Sequence, residues 1–178
     1  MKQRGFTVIE LLVVIVVMAI LLVLAVVNVR STQVQARDDE RHADTSNIST
    51  VLESFYSTTH GSQWRGTYPG TTDLSDTYVK QYLSNNLGQG SQHAPNVDTD
   101  DPSSITVATN ATQTTNGVTP QPTISTYVYQ PLTSTNTLCS AYAAAAGCTK
   151  YNIFYKLERP TDECPAPDNI CVIRSKHQ

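Results

Sequence analysis

The pattern of hydrophobic and polar positions divides the chain sharply into one long apolar run near the start and mixed sequence after it. From Phe6 to Val29 there are 24 residues, and Glu10 is the only ionisable side chain among them. About 20 apolar residues are enough to span the ~30 Å hydrocarbon core of a bilayer. We therefore predict a membrane-spanning helix at residues 6–29.

Two other interpretations of this run are a helix in a soluble core and a cleaved secretory signal. A core helix shows polar residues at regular intervals on its outer face, and Leu11 to Val27 shows none. An ordinary signal has an apolar region of about 7–15 residues that ends in small residues. This run is longer, and Val26 to Arg30 makes a poor cleavage site. A membrane-spanning segment is therefore favoured.

The flanking charges predict the orientation of the segment. Lys2 and Arg4 precede it in a very short tail, and such a tail stays on the cytoplasmic side. We expect the amino terminus to lie inside the cell and the chain from about Arg30 onward to lie outside.

Glu10 is the anomaly within the apolar run. A carboxylate in the apolar part of a membrane helix costs about 2.5–3.5 kcal/mol on insertion scales, so it is by default a functional group with a partner. The apolar segment contains no cation that could pair with Glu10. We expect a partner from another molecule or from a newly made terminus; the alternative is an acid that merely extends to the headgroups.

The helix is predicted to continue past the membrane, because neither proline nor glycine occurs between Phe6 and His60. Charges of both signs at residues 37–41 form i,i+3 pairs that suit an exposed helix. A stripe at spacings of three and four follows, which predicts an amphipathic continuation over residues 30–60 with Gly61 as its stop. The stripe consists of Ile48, Val51, Leu52, Phe55 and Tyr56.

Residues 61–178 are predicted to form a small head domain. A variable loop region covers about 61–122, with a short helix at Thr72–Leu83 and loop or weak strand at His93–Pro122. The region 123–178 carries the strand signals, with alternating apolar and polar positions. An antiparallel sheet of three or four strands across the distal half of the helix gives an α+β fold. The predicted strands are Ile124–Gln130, Tyr151–Leu157 and Ile170–Ser175.

Four cysteines, Cys139, Cys148, Cys164 and Cys171, lie in the last 40 residues on the predicted outer side. An even number in an extracellular region indicates disulfides. Of the three pairings, the sequential one, Cys139–Cys148 with Cys164–Cys171, is favoured because each bond closes a local loop. A zinc site is the rival interpretation, but these spacings without clustered histidines are not those of zinc sites.

A family resemblance lies in residues 2–12, Lys-Gln-Arg-Gly-Phe-Thr-Val-Ile-Glu-Leu-Leu. This stretch closely resembles the prepilin-peptidase site of type IV pilins and type II secretion pseudopilins. The resemblance implies that a membrane aspartyl protease cuts after Gly5, removes the leader 1–5 and methylates Phe6. It also implies that Glu10 pairs with the positive Phe6 amine of a neighbouring subunit in a helical fibre, on which assembly platform proteins act. Phe6 and Glu10 are one helical turn apart on the same face.

Composition adds little further chemistry. The net charge is −3, and removal of Lys2 and Arg4 with the leader leaves 10 basic and 15 acidic residues, a charge of −5. This acidic net charge gives no indication of general nucleic-acid binding, which requires an excess of basic residues. Asp98–Asp101 is a candidate calcium loop, with a solvated acidic turn favoured, and Asn110-Ala111-Thr112 fits the N-glycosylation pattern. No catalytic motif stands out, so we expect no enzyme and no cofactor.

The sequence thus predicts a type IV pilin-like subunit, anchored in the cytoplasmic membrane and then assembled into a pilus at the cell surface. A type II secretion pseudopilin is the nearest alternative, and the Ser/Thr-rich insertion with two disulfides leans towards the pilus subunit. A single-pass receptor or enzyme with a small outer domain is the alternative of another class. Such an anchor has no need for Gly5, Phe6 and Glu10 at this spacing.

Overall fold

The structure is a computed structural model of the 178-residue chain and describes residues 7–58, 66–97, 103–141 and 147–177. The chain divides into two compact units, Met1–Ala36 and Arg37–Gln178. Helix α1, Val8–Ser57, contributes to both. Its 50 residues include no glycine or proline, which explains the absence of a break. The predicted stop, Gly61, lies outside the described residues.

From Leu11 to Leu24 α1 presents apolar side chains on all sides. The exposed fractions run from 48% at Val16 to 85% at Val8. Within the described residues, α1 is the one helix long and apolar enough to cross a membrane. A soluble core helix would be buried, so that interpretation is wrong for this segment.

The second unit combines the rest of α1 with a short helix and a four-stranded sheet. Helix α2 spans Thr77–Asn86. The strands are β1, Ile105–Val107; β2, Tyr127–Leu132; β3, Lys150–Lys156; and β4, Ile170–Arg174. They lie in the order β1-β2-β3-β4, with β2–β3 and β3–β4 antiparallel. The α+β prediction is confirmed, with the long helix packed on a small sheet.

The sheet is mixed rather than antiparallel throughout, because β1 pairs with β2 in parallel through Ile105↔Tyr127 and Val107↔Tyr129. Parallel neighbours need a crossover of a dozen or more residues, and residues 108–126 provide it. Ala108 and Val118 of this crossover pack in one apolar cluster with the sheet. The crossover therefore covers the sheet face opposite α1, and β2 is buried along its whole length.

The main core lies between α1 and the other face of the sheet. The predicted helical stripe is confirmed as its helical side: Phe55 is fully buried and Leu52 is 2% exposed, while Tyr56 is half-buried. Alternate residues of β2 and β3 face this core, as the two-residue period of a strand requires. They are Tyr127, Tyr129, Tyr151, Ile153 and Tyr155.

Buried amides hold the crossover on the sheet. The Gln130 side chain, fully buried, donates from Nε2 to the Asn110 carbonyl at 2.8 Å and accepts from Asn152 Nδ2 at 2.8 Å. The Asn110 amide itself donates to the Gly117 carbonyl at 2.7 Å and accepts from the Thr119 backbone at 3.0 Å. The nitrogen to which a glycan would be attached at Asn110 is therefore engaged inside the loop.

Helix α2 begins later than predicted, at Thr77 instead of Thr72. The Asp76 carboxylate accepts from the backbone amides of Tyr78 and Val79 and so caps the helix at this position. A single 3-10 turn, Asp73–Ser75, precedes it.

Both disulfides have the sequential pairing, Cys139–Cys148 and Cys164–Cys171. The first closes a loop beside the segment Thr67–Thr72. The Tyr68 amide donates to the Cys148 carbonyl at 2.7 Å, and the Thr71 amide donates to the Cys139 carbonyl at 3.0 Å. Gly70 lies where this segment approaches the disulfide loop most closely. A Cβ added at Gly70 would lie 2.4 Å from backbone atoms of Ser140.

We predict that Gly70→Ala destabilises the protein by about 1–3 kcal/mol, because backbone rather than a flexible side chain must move. Gly88→Ala is the matched control, since nothing lies within 4 Å of its added Cβ and its φ of −56° suits alanine. Urea unfolding of the detergent-solubilised full-length chain measures both. Equal free energies of unfolding for Gly70→Ala and Gly88→Ala would contradict the close approach of Gly70 to the Ser140 backbone.

Candidate assembly site

The first turn of α1 holds Glu10 in a reciprocal pair with Thr7, the residue just before the helix. Glu10 Oε2 accepts from the Thr7 amide at 2.9 Å and from Thr7 Oγ1 at 2.7 Å. Thr7 Oγ1 in turn accepts from the Glu10 amide at 3.4 Å. This is the capping box Thr-x-x-Glu, in which residues three apart satisfy each other's free amides at a helix start.

The capping box supplies Glu10 with hydrogen-bond partners within its own chain, whereas the sequence predicts a partner from another molecule or from a newly made terminus. The sequence signal for this pair is the spacing Thr7-Val8-Ile9-Glu10, and Thr7 is absent from the predicted site. Both hydrogen bonds use Oε2, and within residues 7–58 no donor reaches Oε1. Hydrogen bonds from a neutral threonine leave the negative charge in place, and no cation pairs with the carboxylate among the described residues.

The other two predicted site residues, Gly5 and Phe6, lie outside the described residues. They directly precede Thr7 in the sequence, so Phe6 alone separates the predicted cut from the cap. The relation between the Phe6 amine and Glu10 stays a prediction.

The apolar surface begins immediately after this first turn. The side chains of Leu11, Leu12 and Val13 are 53–61% exposed. The large apolar side chains that follow are exposed to a similar degree as far as Leu24, at 59%. Such a surface is satisfied by lipid, or by the same surface of other copies, whereas water penalises it. Glu10 is therefore a single acid at the edge of a surface suited to lipid or helix packing.

A charged cluster fixes the head onto α1 at the start of the second unit. Arg37 donates from Nε to Glu158 Oε1 at 2.7 Å and from NH2 to Oε2 at 2.6 Å, a bidentate pair. Arg41, whose side chain is 1% exposed, bonds both Glu158 and Asp38 at 3.0 Å. We call Arg37, Asp38, Arg41 and Glu158 the charged clamp.

Backbone groups complete the clamp. The Asp38 carboxylate accepts from the amides of Glu158 and Arg159 at 2.8 and 3.2 Å, and Arg41 Nε donates to the Ile124 carbonyl at 2.9 Å. The charge pattern of residues 37–41 predicts an exposed helical face. That is wrong for Asp38 and Arg41, which are buried because Glu158, far away in sequence, supplies the matching charge.

The hydrogen bond from Arg37 is the main reason why the pKa of Glu158 falls to about 2, and Arg41 adds to the effect. A carboxylate whose pKa is depressed in the folded state stabilises the fold above its unfolded pKa of about 4.3. That contribution disappears as the pH falls towards 2.

A second polar anchor lies near the end of α1, at Glu53. Its carboxylate accepts from the hydroxyls of Tyr68 at 2.9 Å and Tyr151 at 3.0 Å, and from the Lys176 amide at 3.0 Å. Burial, followed by the bond to Glu53, raises the pKa of Tyr68 above its ordinary value. Both tyrosines therefore stay neutral donors at any physiological pH.

The structure brings together no metal site among its described residues, where no group of three or more His, Cys, Asp and Glu side chains could hold an ion. The calcium loop considered at Asp98–Asp101 lies outside the described residues. His42 contacts the Tyr155 hydroxyl at 2.8 Å, and His177 stacks on Tyr56 with ring centroids 4.1 Å apart. Both histidines take part in contacts between α1 and the head.

Comparison with known proteins points to the same end of the chain. Residues 1–26 match the family model for the prokaryotic N-terminal methylation motif, the class III signal peptide of type IV pilins and pseudopilins. No curated protein and no solved structure matched the chain. The motif supports a type IV pilin- or pseudopilin-like protein, and it indicates a structural protein rather than an enzyme. The long helix packed on a small mixed sheet has the pilin-like layout.

We predict that Glu158→Gln lowers the Tm by about 2–4 °C at pH 7, because it removes a charge-assisted pair that fixes the head to α1. The Tm of the wild type should fall more steeply than that of the variant between pH 4.5 and pH 2. Glu163→Gln is the control, since Glu163 is exposed and forms no ion pair within the described chain. Parallel pH profiles for wild type and Glu158→Gln would contradict this role.

Proposed function

We propose that this protein is the structural subunit of a type IV pilus-like fibre on the cell surface. It is made with its amino terminus inside the cytoplasmic membrane, cut after Gly5 by a prepilin peptidase and methylated at Phe6. Assembly platform proteins then add it to a homo-oligomeric helical fibre. The proposed regions are the leader 1–5, the fibre-core helix 6–29, its amphipathic continuation 30–60 and the head 61–178.

The observation that carries this proposal is the apolar surface of α1 that follows the matched motif. It is exposed in the described chain and carries one acid, Glu10, at its edge. Lipid covers this surface in the precursor, and the same surface of other copies covers it in the fibre. One segment therefore serves as anchor and as polymerisation element without facing water in either state.

The capping box supports a defined role for Glu10 in assembly. Thr7 engages Oε2, and Oε1 receives no donor from the described residues. The new Phe6 amine of a neighbouring subunit is the cation that the cut itself creates, and Oε1 is the atom open to it. In low dielectric such a pair is strongly attractive, while either charge alone is strongly penalised. The pairing therefore selects the register between neighbouring helices.

A type II secretion pseudopilin is the second candidate, because the matched motif is common to both classes. Deletion of the protein distinguishes the two. Loss of surface fibres seen by electron microscopy with normal secretion supports the pilus, and loss of secretion with unchanged surface fibres supports the pseudopilus.

We predict that replacing Gly5 with a bulky residue such as leucine leaves the precursor uncut. Small residues at the cut site allow the peptidase to approach the backbone, which a large side chain prevents. Mass spectrometry of the amino terminus measures the result, with Gln3→Ala as the control in the same leader. A methylated Phe6 terminus in Gly5→Leu would overturn the peptidase assignment.

We predict that Glu10→Gln is cut normally but yields at least tenfold fewer fibres, because glutamine keeps an oxygen for Thr7 and loses the charge that attracts the amine. Thr7→Val keeps the charge and removes the hydroxyl bond, so it should reduce fibre yield less. Sheared fibres are quantified by immunoblot beside the processed subunit in membranes. Wild-type yield from Glu10→Gln would refute charge pairing, whatever the result for Thr7→Val.

A further inference from the structure

An apolar groove lies on the head between α2 and the edge strand β1. Its apolar lining consists of Leu74, Leu83, Leu87 and Ile105, and its volume is about 490 Å³, in the range of sites that take apolar groups. Polar lining comes from Ser84, Gln92 and Ser103. Lys80 is its one charged lining residue and forms no ion pair within the described chain. An occupant that suits this groove combines small apolar groups with a carboxylate.

A loop with that chemistry lies at the opposite edge of the same sheet. Residues 160–168 lie within the connection between β3 and β4 and carry Asp162, Glu163 and Asp168. The basic residue of this connection, Arg159, comes just before them and lies 3.9 Å from the Asp38 carboxylate. Pro165, Ala166 and Pro167 in this loop are exposed. We call residues 160–168 the acidic loop.

The acidic loop is held in one conformation before any contact. The Cys164–Cys171 disulfide ties it to β4, and Thr161 and Cys164 exchange backbone hydrogen bonds at 3.1 and 3.2 Å. A preorganised loop loses little conformational entropy when it binds. Its acidic side chains Asp162 and Glu163 form no ion pair within the part of the chain that the structure describes.

The groove and the loop also differ in their position along α1. The groove side of the head contacts α1 through Asn47 with Ser91 and through Ser54 with Tyr82. The loop follows Glu158, whose amide binds Asp38. Nine to sixteen helical residues separate these anchors, which is about 13–24 Å at 1.5 Å per residue. Two complementary patches at different places on one subunit make a head-to-tail contact, which repeats along an open helix.

We infer that the acidic loop of one copy binds in the groove of another copy displaced by about 13–24 Å along the fibre, with a loop carboxylate on Lys80. This inference rests on the proposed fibre and adds a contact between heads to the contact between helices. Pro165 and Ala166 fill the apolar walls, and the ion pair orients the loop.

Cysteine cross-linking in full-length protein tests the contact directly. Ser84 lines the groove and Ala166 lies in the loop, and both are exposed. In fibres of Ser84→Cys/Ala166→Cys, oxidation should give a ladder of linked subunits on non-reducing gels. Ser84→Cys/Ser134→Cys is the control, because Ser134 is exposed in the β2–β3 connection outside the loop. Fibres that form without a ladder, or with equal ladders in both variants, overturn the inference and leave the proposed function standing.

Charge reversal provides a second test that needs no cross-link. Lys80→Glu and Glu163→Lys should each lower fibre yield severalfold, because the contact repeats at every subunit, and the double variant should restore it. Gln81→Ala changes a residue that is next to Lys80 but outside the groove lining, without changing the charge, and it should leave the yield unchanged. Single variants that match the wild type, or a double variant no better than the singles, also overturn the inference. Absence of fibres from the wild type overturns both this inference and the proposed function.

Discussion

The apolar half of α1 has to be covered by something other than water, and this requirement shapes the whole molecule. Burying one valine, leucine or isoleucine side chain is worth about 1.5–3 kcal/mol, and such residues line the helix on all sides from Leu11 to Leu24. Monomeric soluble proteins seldom leave a comparable apolar surface uncovered. Because a helix satisfies its own backbone, lipid and neighbouring helices are equally acceptable surroundings.

The second half of α1 meets the opposite requirement, since it belongs to a folded head. Ile48, Val51 and Leu52 of its stripe cover one face of the sheet, so the head core is incomplete without the helix. The charged clamp and Glu53 fix the two ends of this contact with bonds that have defined geometry. Apolar packing supplies the bulk of the stabilisation, and the polar bonds set the position of the head along α1.

The regular features were predictable from the sequence because they depend on local pattern. Periodicity located α1, its buried stripe and the strands β2, β3 and β4, and the short cysteine spacings favoured the disulfide pairing that the structure contains. The features that were missed depend on distant partners. Strand β1 has three residues and is parallel only because residues 108–126 cross the sheet, and Arg37 pairs with Glu158, 121 positions away. Thr7 is the exception, since its capping box was readable from the sequence.

Thr7 changes the account of how a carboxylate can belong to a membrane segment. The cost of placing Glu10 among apolar residues has a hydrogen-bonding part and a charge part. The capping box meets much of the first part within one chain, since Oε2 receives two donors that would otherwise need water or remain unpaired at the helix start. The capping box does not reduce the cost of the charge, because a threonine carries none. In the proposed fibre that remaining part is removed only beside a neighbour's Phe6 amine, so the membrane precursor is tolerable and the paired subunit is preferred. On this proposal, a glutamate capped by threonine is tolerated in lipid and still favours the correct register on assembly.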